Sequence, residues 1–340
     1  MASSKTNSKK KVIRAREWFE DLVGFPEKEW TFDLESVRPV LEPHWGHFET
    51  VSVDSLTGRV EKEVKTRSDD IPPLRVLTRR DTSRHVRHFD VSAVQHWGAP
   101  KSMIQVASNF NCLEVPSEHT DPFHGEFLTN LMTDTTQGPS ASAGAGPGAI
   151  FRLGRHRQEP IDLLEATEEL KPKNGKLILS SEKKQSKGKR NIDSGKVKVG
   201  LHTNVRAMYD RSGDPNHVIK NVNAPLVDQV YASTCVQRSP HERSKEAGAL
   251  LKAAYDGTYA CCALRQSPTL VLTCIGGQSF QNNPCQIARA IVDSHSYFGK
   301  YLRRDCKVVL PIYGTNHKIL EELKPCAARA KVKLEVENYE

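Results

Sequence analysis

Two stretches of this 340-residue sequence carry residue types that could hold an anion. The first is TQGPSASAGAGPGAIFR, from Thr136 to Arg152, with no charged side chain until its last residue. A run of Gly, Ala, Ser and Pro is either a flexible linker or a backbone that must come close to something. The apolar continuation Ala149-Ile150-Phe151 favours close approach, because linkers seldom lead straight into a core segment. The second stretch is TCIGGQSFQNN, from Thr273 to Asn283, a strand-like segment that runs into Gly276-Gly277 and then a helix opening. Gly144, Gly146 and Gly148 facing Gly276 and Gly277 would line a diphosphate with backbone N–H groups on both sides. Neither stretch is a GxGxxG or GxxxxGK[ST] motif, which argues against an ordinary dinucleotide or ATP fold. Three carboxylates, Glu114, Asp134 and Glu159, fall close enough in sequence to protonate a leaving oxygen or activate water.

The elements that must position these residues alternate between strand and helix. REWFEDLVGF (16–25) has helical spacing and ends at Pro26, and HFETVSVDSLTGRVEKEVKT (47–66) reads as a β-hairpin turning at Gly58. LRVLTRR and RHFDV follow as strands, and KSMIQVASNF (101–110) as a buried strand whose end turns polar at SNFNC. GKVKVGLHTNV and DQVYASTCV (228–236) are further strands. A long helix is expected over about 240–264, with Ala247, Leu250, Leu251, Ala254, Tyr255 and Tyr259 on one face. TLVLTCIGG (269–277) is a strand. Asn283 as N-cap and Pro284 at the first position open a helix over 283–300, and a last strand covers 307–313. This is an α/β pattern, and in open α/β sheets ligands bind beyond the carboxyl ends of the strands.

Composition limits the alternatives. A hydrophobic content of 37% with no apolar run of 18 residues excludes a membrane span and argues for no membrane partner. The basic start, MASSKTNSKKKVIRAR, leads into no apolar segment, so no secretory signal is expected. Eight cysteines without a C-x-x-C pair, mostly inside apolar stretches, suit reduced thiols in the cytoplasm or nucleus. The acidic and histidine-bearing run from Glu118 to His124 lacks zinc spacing, so no metal and no cofactor are expected. The net charge of +8 resides in 171–198, where ten Lys/Arg stand against Glu182 and Asp193 (10 − 2 = 8). Such a segment is a solvated loop or a grip for nucleic-acid phosphates.

The order and spacing of QVASNFNCLE, GAGPGAIFR, LTCIGGQSFQNNPCQIARAI and VVLPIYG resemble the macrodomain superfamily of ADP-ribose-binding modules, including divergent poly(ADP-ribose) glycohydrolases. The resemblance spans roughly 85–315. It implies a macrodomain-like three-layer α/β/α fold with a mixed central sheet, preceded by a tail (1–15) and an N-terminal helix-and-hairpin extension (16–84). The domain itself is expected over 85–330, with the basic insertion at 171–198. It further implies that Asp90 meets the adenine amino group and that Asn109 or Asn111 contacts the distal ribose. Gly144, Gly146 and Gly148 would form the first phosphate loop. Gly276, Gly277, Gln278 and Ser279 would form the second, with Phe280 packed on the ribose. The partner implied is ADP-ribose or an ADP-ribosylated protein, bound or hydrolysed. The glycohydrolase signature pairs glutamates after a Gln, whereas this chain has Gln158-Glu159 followed by Pro160. The alternative is a nucleic-acid-binding accessory protein acting through 171–198.

Overall fold

The structure, a computed structural model, describes residues 18–67, 71–78, 100–115, 117–125, 127–131, 141–167, 170–179, 192–208, 224–237, 244–312 and 317–338. At its centre lie eight strands: β1 (His47–Ser52), β2 (Leu74–Thr78), β3 (Met103–Ala107), β4 (Lys198–Arg206), β5 (Leu226–Ala232), β6 (Thr269–Val271), β7 (Lys307–Ile312) and β8 (Leu334–Asn338). They form one sheet in the order β1-β4-β5-β3-β6-β7-β2-β8. The β1–β4 and β4–β5 pairs are antiparallel and the other neighbours parallel. The expected α/β class with a mixed sheet is therefore present.

Helices cover both faces. Those among the described residues are α1 (Trp18–Val23), α2 (Arg38–Trp45), α3 (Val53–Glu63), α4 (Phe127–Leu131), α5 (Ala141–Gly144), α6 (Gly146–Gln158), α7 (Lys245–Arg265), α8 (Pro284–Phe298) and α9 (His317–Ala330). Neighbouring strand residues point to opposite faces. Gln105 of β3 reaches Thr258 of α7 on one face, while Tyr231 of β5 lies against Arg152 of α6 on the other. α3, α7, α8 and α9 pack side by side over the first face around Leu56, Leu251, Ile291 and Leu323. α1, α2 and α6 pack over the second around Trp18, Phe19, Trp45 and Leu153. A bulge in β4 between His202 and Val205, with Asn204 at φ +56, turns Val205 toward α6 as well.

One expectation is corrected. The hairpin over 47–66 is a strand followed by a helix, because Val53, Leu56 and Val60 recur at helical spacing and are buried. Ser52 caps that helix by accepting the Ser55 N–H. The stretch expected as an N-terminal extension packed on the core also supplies two strands of the sheet: β1 forms one edge, and β2 sits between β7 and β8. The sheet also continues past residue 330 into β8.

The parallel strands end along a common edge. Gln105 helps to set where β6 stops, since its Oε1 takes the N–H of Thr273 at 3.0 Å in place of another strand. Tyr255 of α7 then donates to the Thr273 carbonyl (2.8 Å) and accepts the Ile275 N–H (3.1 Å), so the chain turns on a buried support.

Candidate functional site

The segment following β3 is braced by its own asparagines. Asn109 donates to the carbonyls of Leu113 (2.8 Å) and Val115 (3.2 Å), and Asn111 accepts the Leu113 N–H at 3.1 Å. Between them Cys112 adopts φ +57, and its carbonyl accepts from Arg152 Nε at 3.2 Å. Glu114 stands half-buried at the end of this tight loop, near enough for its charge to act on Arg152. Burial pushes the Cys112 thiol up to about 12, so it stays protonated and is no nucleophile. Of the two asparagines, Asn111 lines a cavity of about 380 Å³, together with Phe110, Asp121, Phe123, His156 and Asp162.

The turn after β6 lies on the same edge. Gly276 has φ +73, and a Cβ there would come within 2.6 Å of both Asn282 Nδ2 and Thr234 Cγ2, so only glycine fits. Asn282 fastens the turn by donating to the Cys235 carbonyl (2.9 Å) and accepting from Thr234 (3.2 Å). The backbone N–H groups of Gly276, Gln278, Ser279 and Phe280 meet no acceptor among the described residues. Asn283 follows and caps α8, accepting from Cys285 (3.0 Å) and Gln286 (3.3 Å). Open N–H groups on a left-handed turn ahead of a helix make an anion-binding concavity.

The glycines of the first stretch are elsewhere. Gly144 ends α5, while Gly146 and Gly148 lie inside α6. A Cβ at 146 would meet Trp18 of α1 at 2.8 Å, and one at 148 would meet Val205 and His202 of β4 at 2.8 and 3.0 Å. Val205 is paired with Val227, near the start of β5, whereas Arg152 reaches Cys112 beyond the end of β3. α6 therefore points its carboxyl end, not its amino end, at the strand-end edge. At Gly146 and Gly148 the missing Cβ atoms let α6 pack closely on α1 and β4. Glu159 is exposed at the end of α6 and ion-paired with Arg155. Asp90 and Asp134 lie outside the described residues, as does 180–191 of the Lys-rich segment.

No family model matches the sequence. No curated protein matches it either. Among solved structures it is similar to a poly(ADP-ribose) glycohydrolase from Thermomonospora curvata, at 14% identity and TM-score 0.42, over 81% of this chain and 85% of that one. It is also similar to the enzyme from Deinococcus radiodurans in complex with ADP-ribose, at 13% identity and TM-score 0.41, over 82% and 95% of the two chains. A second crystal form of that complex gives 12% identity and TM-score 0.44, over 86% and 98%.

Four side chains around this edge escaped the sequence reading. Arg152, read only as the end of an apolar run, is buried beneath the Asn109–Glu114 loop. Gln105 and Tyr255, read as core, shape the turn after β6. Lys176 was absorbed into a charge count, although Lys173-Asn-Gly-Lys176 carries the Asn-Gly hairpin signal. Among the described residues no cluster of three or more His, Cys, Asp or Glu could hold a metal, and no helix is long and apolar enough to cross a membrane.

Proposed function

We propose that this protein binds ADP-ribose, free or attached to protein, at the carboxyl edge of its sheet. The observation that carries the reading is the Gly276–Phe280 turn, with four N–H groups open to an anion immediately ahead of the α8 amino end. A diphosphate suits such a turn, since the amides donate without desolvating a cation. The cavity beside Asn111 offers room for a sugar, with the Asn111 amide and the Asp162 carboxylate on its wall.

Glu114 is the carboxylate this arrangement favours for hydrolysis of an ADP-ribosyl bond. Its loop is braced by four hydrogen bonds from Asn109, Asn111 and Arg152. A carboxyl group so held would protonate the departing oxygen and then help a water attack the ribose carbon. Glu159, exposed and paired to Arg155, has no comparable support.

The test is titration calorimetry with ADP-ribose, and AMP as control, on the wild type and Ser279→Glu. Ser279 is exposed, so the substitution keeps the fold while placing a negative charge beside the open amides. Micromolar binding that Ser279→Glu abolishes supports the site. No heat from a folded wild type sinks it and returns attention to nucleic acid and the Lys-rich segment. If the protein is a hydrolase, Glu114→Gln binds ADP-ribose but releases none from an ADP-ribosylated protein.

A further inference from the structure

We propose that His156 and Asp162 determine specificity in the cavity beside Asn111, as a donor and acceptor pair that selects an uncharged, hydroxylated sugar ring. The inference rests on the binding reading above and adds the two side chains that would recognise the sugar. Both stand on the cavity wall, His156 in the last turn of α6 and Asp162 just beyond its end.

One hydrogen bond brings them together and fixes the chemistry of the first. The Ile161 N–H donates to His156 Nδ1 at 2.9 Å. A backbone amide can only donate, so Nδ1 holds a lone pair and the proton of the neutral ring sits on Nε2. Burial holds the pKa of His156 below the usual histidine value, which keeps the ring neutral near pH 7. The ring also stacks on Phe123, with centroids 5.7 Å apart and planes 16° apart, so its orientation is set before any ligand arrives. Its Nε2–H meets no acceptor among the described residues.

Asp162 follows Ile161 directly. Its Oδ1 accepts the Leu164 N–H at 2.8 Å, while its Oδ2 has neither a donor nor a paired cation among the described residues. Asp121, the other carboxylate on the wall, is engaged by the Phe123 N–H (2.9 Å) and His124 Nδ1 (2.7 Å). Asn111 adds a second donor, since its Oδ1 is taken by the Leu113 N–H and its Nδ2 is left over. The wall therefore presents N–H groups of fixed sense and one open carboxylate oxygen. A hydroxyl both donates and accepts, so two neighbouring hydroxyls satisfy Asp162 and His156 together. An anionic phosphate would meet the like charge of Asp162 instead. The cavity thus takes the sugar, and the turn after β6 takes the diphosphate.

Calorimetry on the full chain would compare ADP-ribose with ADP, which lacks the second sugar, in wild type, His156→Phe, Asp162→Asn and Ser279→Glu. His156→Phe keeps the stack on Phe123 and removes the donor. Asp162→Asn keeps an acceptor for Leu164 and turns the open acceptor into a donor. His156→Phe should weaken ADP-ribose about 3- to 10-fold and Asp162→Asn about 10- to 100-fold, with ADP held within about twofold of wild type in both. Unchanged ADP affinity also shows that each variant is folded. Wild-type affinity for ADP-ribose in either variant overturns the proposal, and so does an equal loss for ADP. If Ser279→Glu abolishes both ligands while the wild type binds ADP-ribose no more tightly than ADP, the turn stands and the sugar pair falls. If the wild type binds neither ligand, the binding reading falls and the pair falls with it.

Discussion

Burying a guanidinium costs several kcal/mol unless its N–H groups find acceptors. Arg152, 1% exposed, finds the Cys112 carbonyl and His202 Nδ1 (3.0 Å), and lies 3.8 Å from the centre of the Tyr231 ring. His202 must be neutral to accept there, with its Nε2–H given to the Trp45 carbonyl at 2.5 Å. Burial, and then the neighbouring Arg152 charge, hold its pKa well below the usual histidine value. A lysine at 152 keeps the charge but cannot span both acceptors. Arg152→Lys should therefore cost roughly 2–4 kcal/mol in urea unfolding, with the loop that carries Glu114 loosened. His295 gives a pH signature. Burial, opposed by its bond to the Pro72 carbonyl, lowers its pKa to about 4, and it accepts from Tyr259 at 3.0 Å. Above roughly pH 6.5 both folded and unfolded chains hold it neutral. Below that, the unfolded chain binds a proton that the folded one refuses, so stability falls as the pH drops toward about 4. The loss from this group is of order 3 kcal/mol, and the stability gap between wild type and His295→Gln should shrink across that window. A gap independent of pH would contradict it. Neither histidine was legible in sequence, because a buried imidazole is defined by carbonyls and rings more than 30 positions away.

At the scale of elements, α6 shows why glycine runs are ambiguous. A missing Cβ serves a phosphate and a packed helix equally well, and Pro147 near the first helical position fits either reading. Only the neighbours decide, and here they are Trp18, Val205 and His202. Gly148→Ala should accordingly destabilise by about 1–3 kcal/mol through overpacking. Gly58, in the exposed middle of α3, has nothing within 4 Å of a Cβ, so Gly58→Ala should stabilise by about 0.5–1 kcal/mol. Opposite signs in chemical denaturation would confirm both placements; equal signs would refute one. α3 was hidden for a related reason. Val53, Leu56 and Val60 mark the helix, but the alternation of β1 just before it suggested a second strand, and Gly58 suggested the turn. By contrast α8 was readable nearly to the residue, since Asn283 and Pro284 state its start in local chemistry alone. The turn after β6 was readable in part, since Gly276 sits at a left-handed position where only glycine fits.

For the whole molecule, the strand-and-helix alternation was enough to give the class, and the pairing order was not. β2 was visible as a strand, but nothing in LRVLT says that it lies between β7 and β8. Its side chains Leu74 and Val76 are fully buried there. β8 is the blunter edge, half-exposed and carrying the Lys333–Glu335 and Arg75–Glu335 ion pairs. Charge on an edge strand discourages pairing with other chains. Ending the chain at residue 330 should thus expose β2 as an apolar edge, lower the unfolding temperature and produce concentration-dependent light scattering. A truncated chain as stable and monodisperse as the full one would show β8 to be dispensable.

The same arrangement bears on how the chain is made. Thr78 pairs with Ile312, so β2 leaves the ribosome more than 230 residues ahead of its first partner strand. At ordinary elongation rates that is a wait of about 10–50 s. During this time Leu74 and Val76 have no partner in the sheet, and the pairs β1–β4, β4–β5 and β3–β5 can form first. Completion of the sheet is therefore a late insertion of an early segment, whose apolar side chains would need shielding until then.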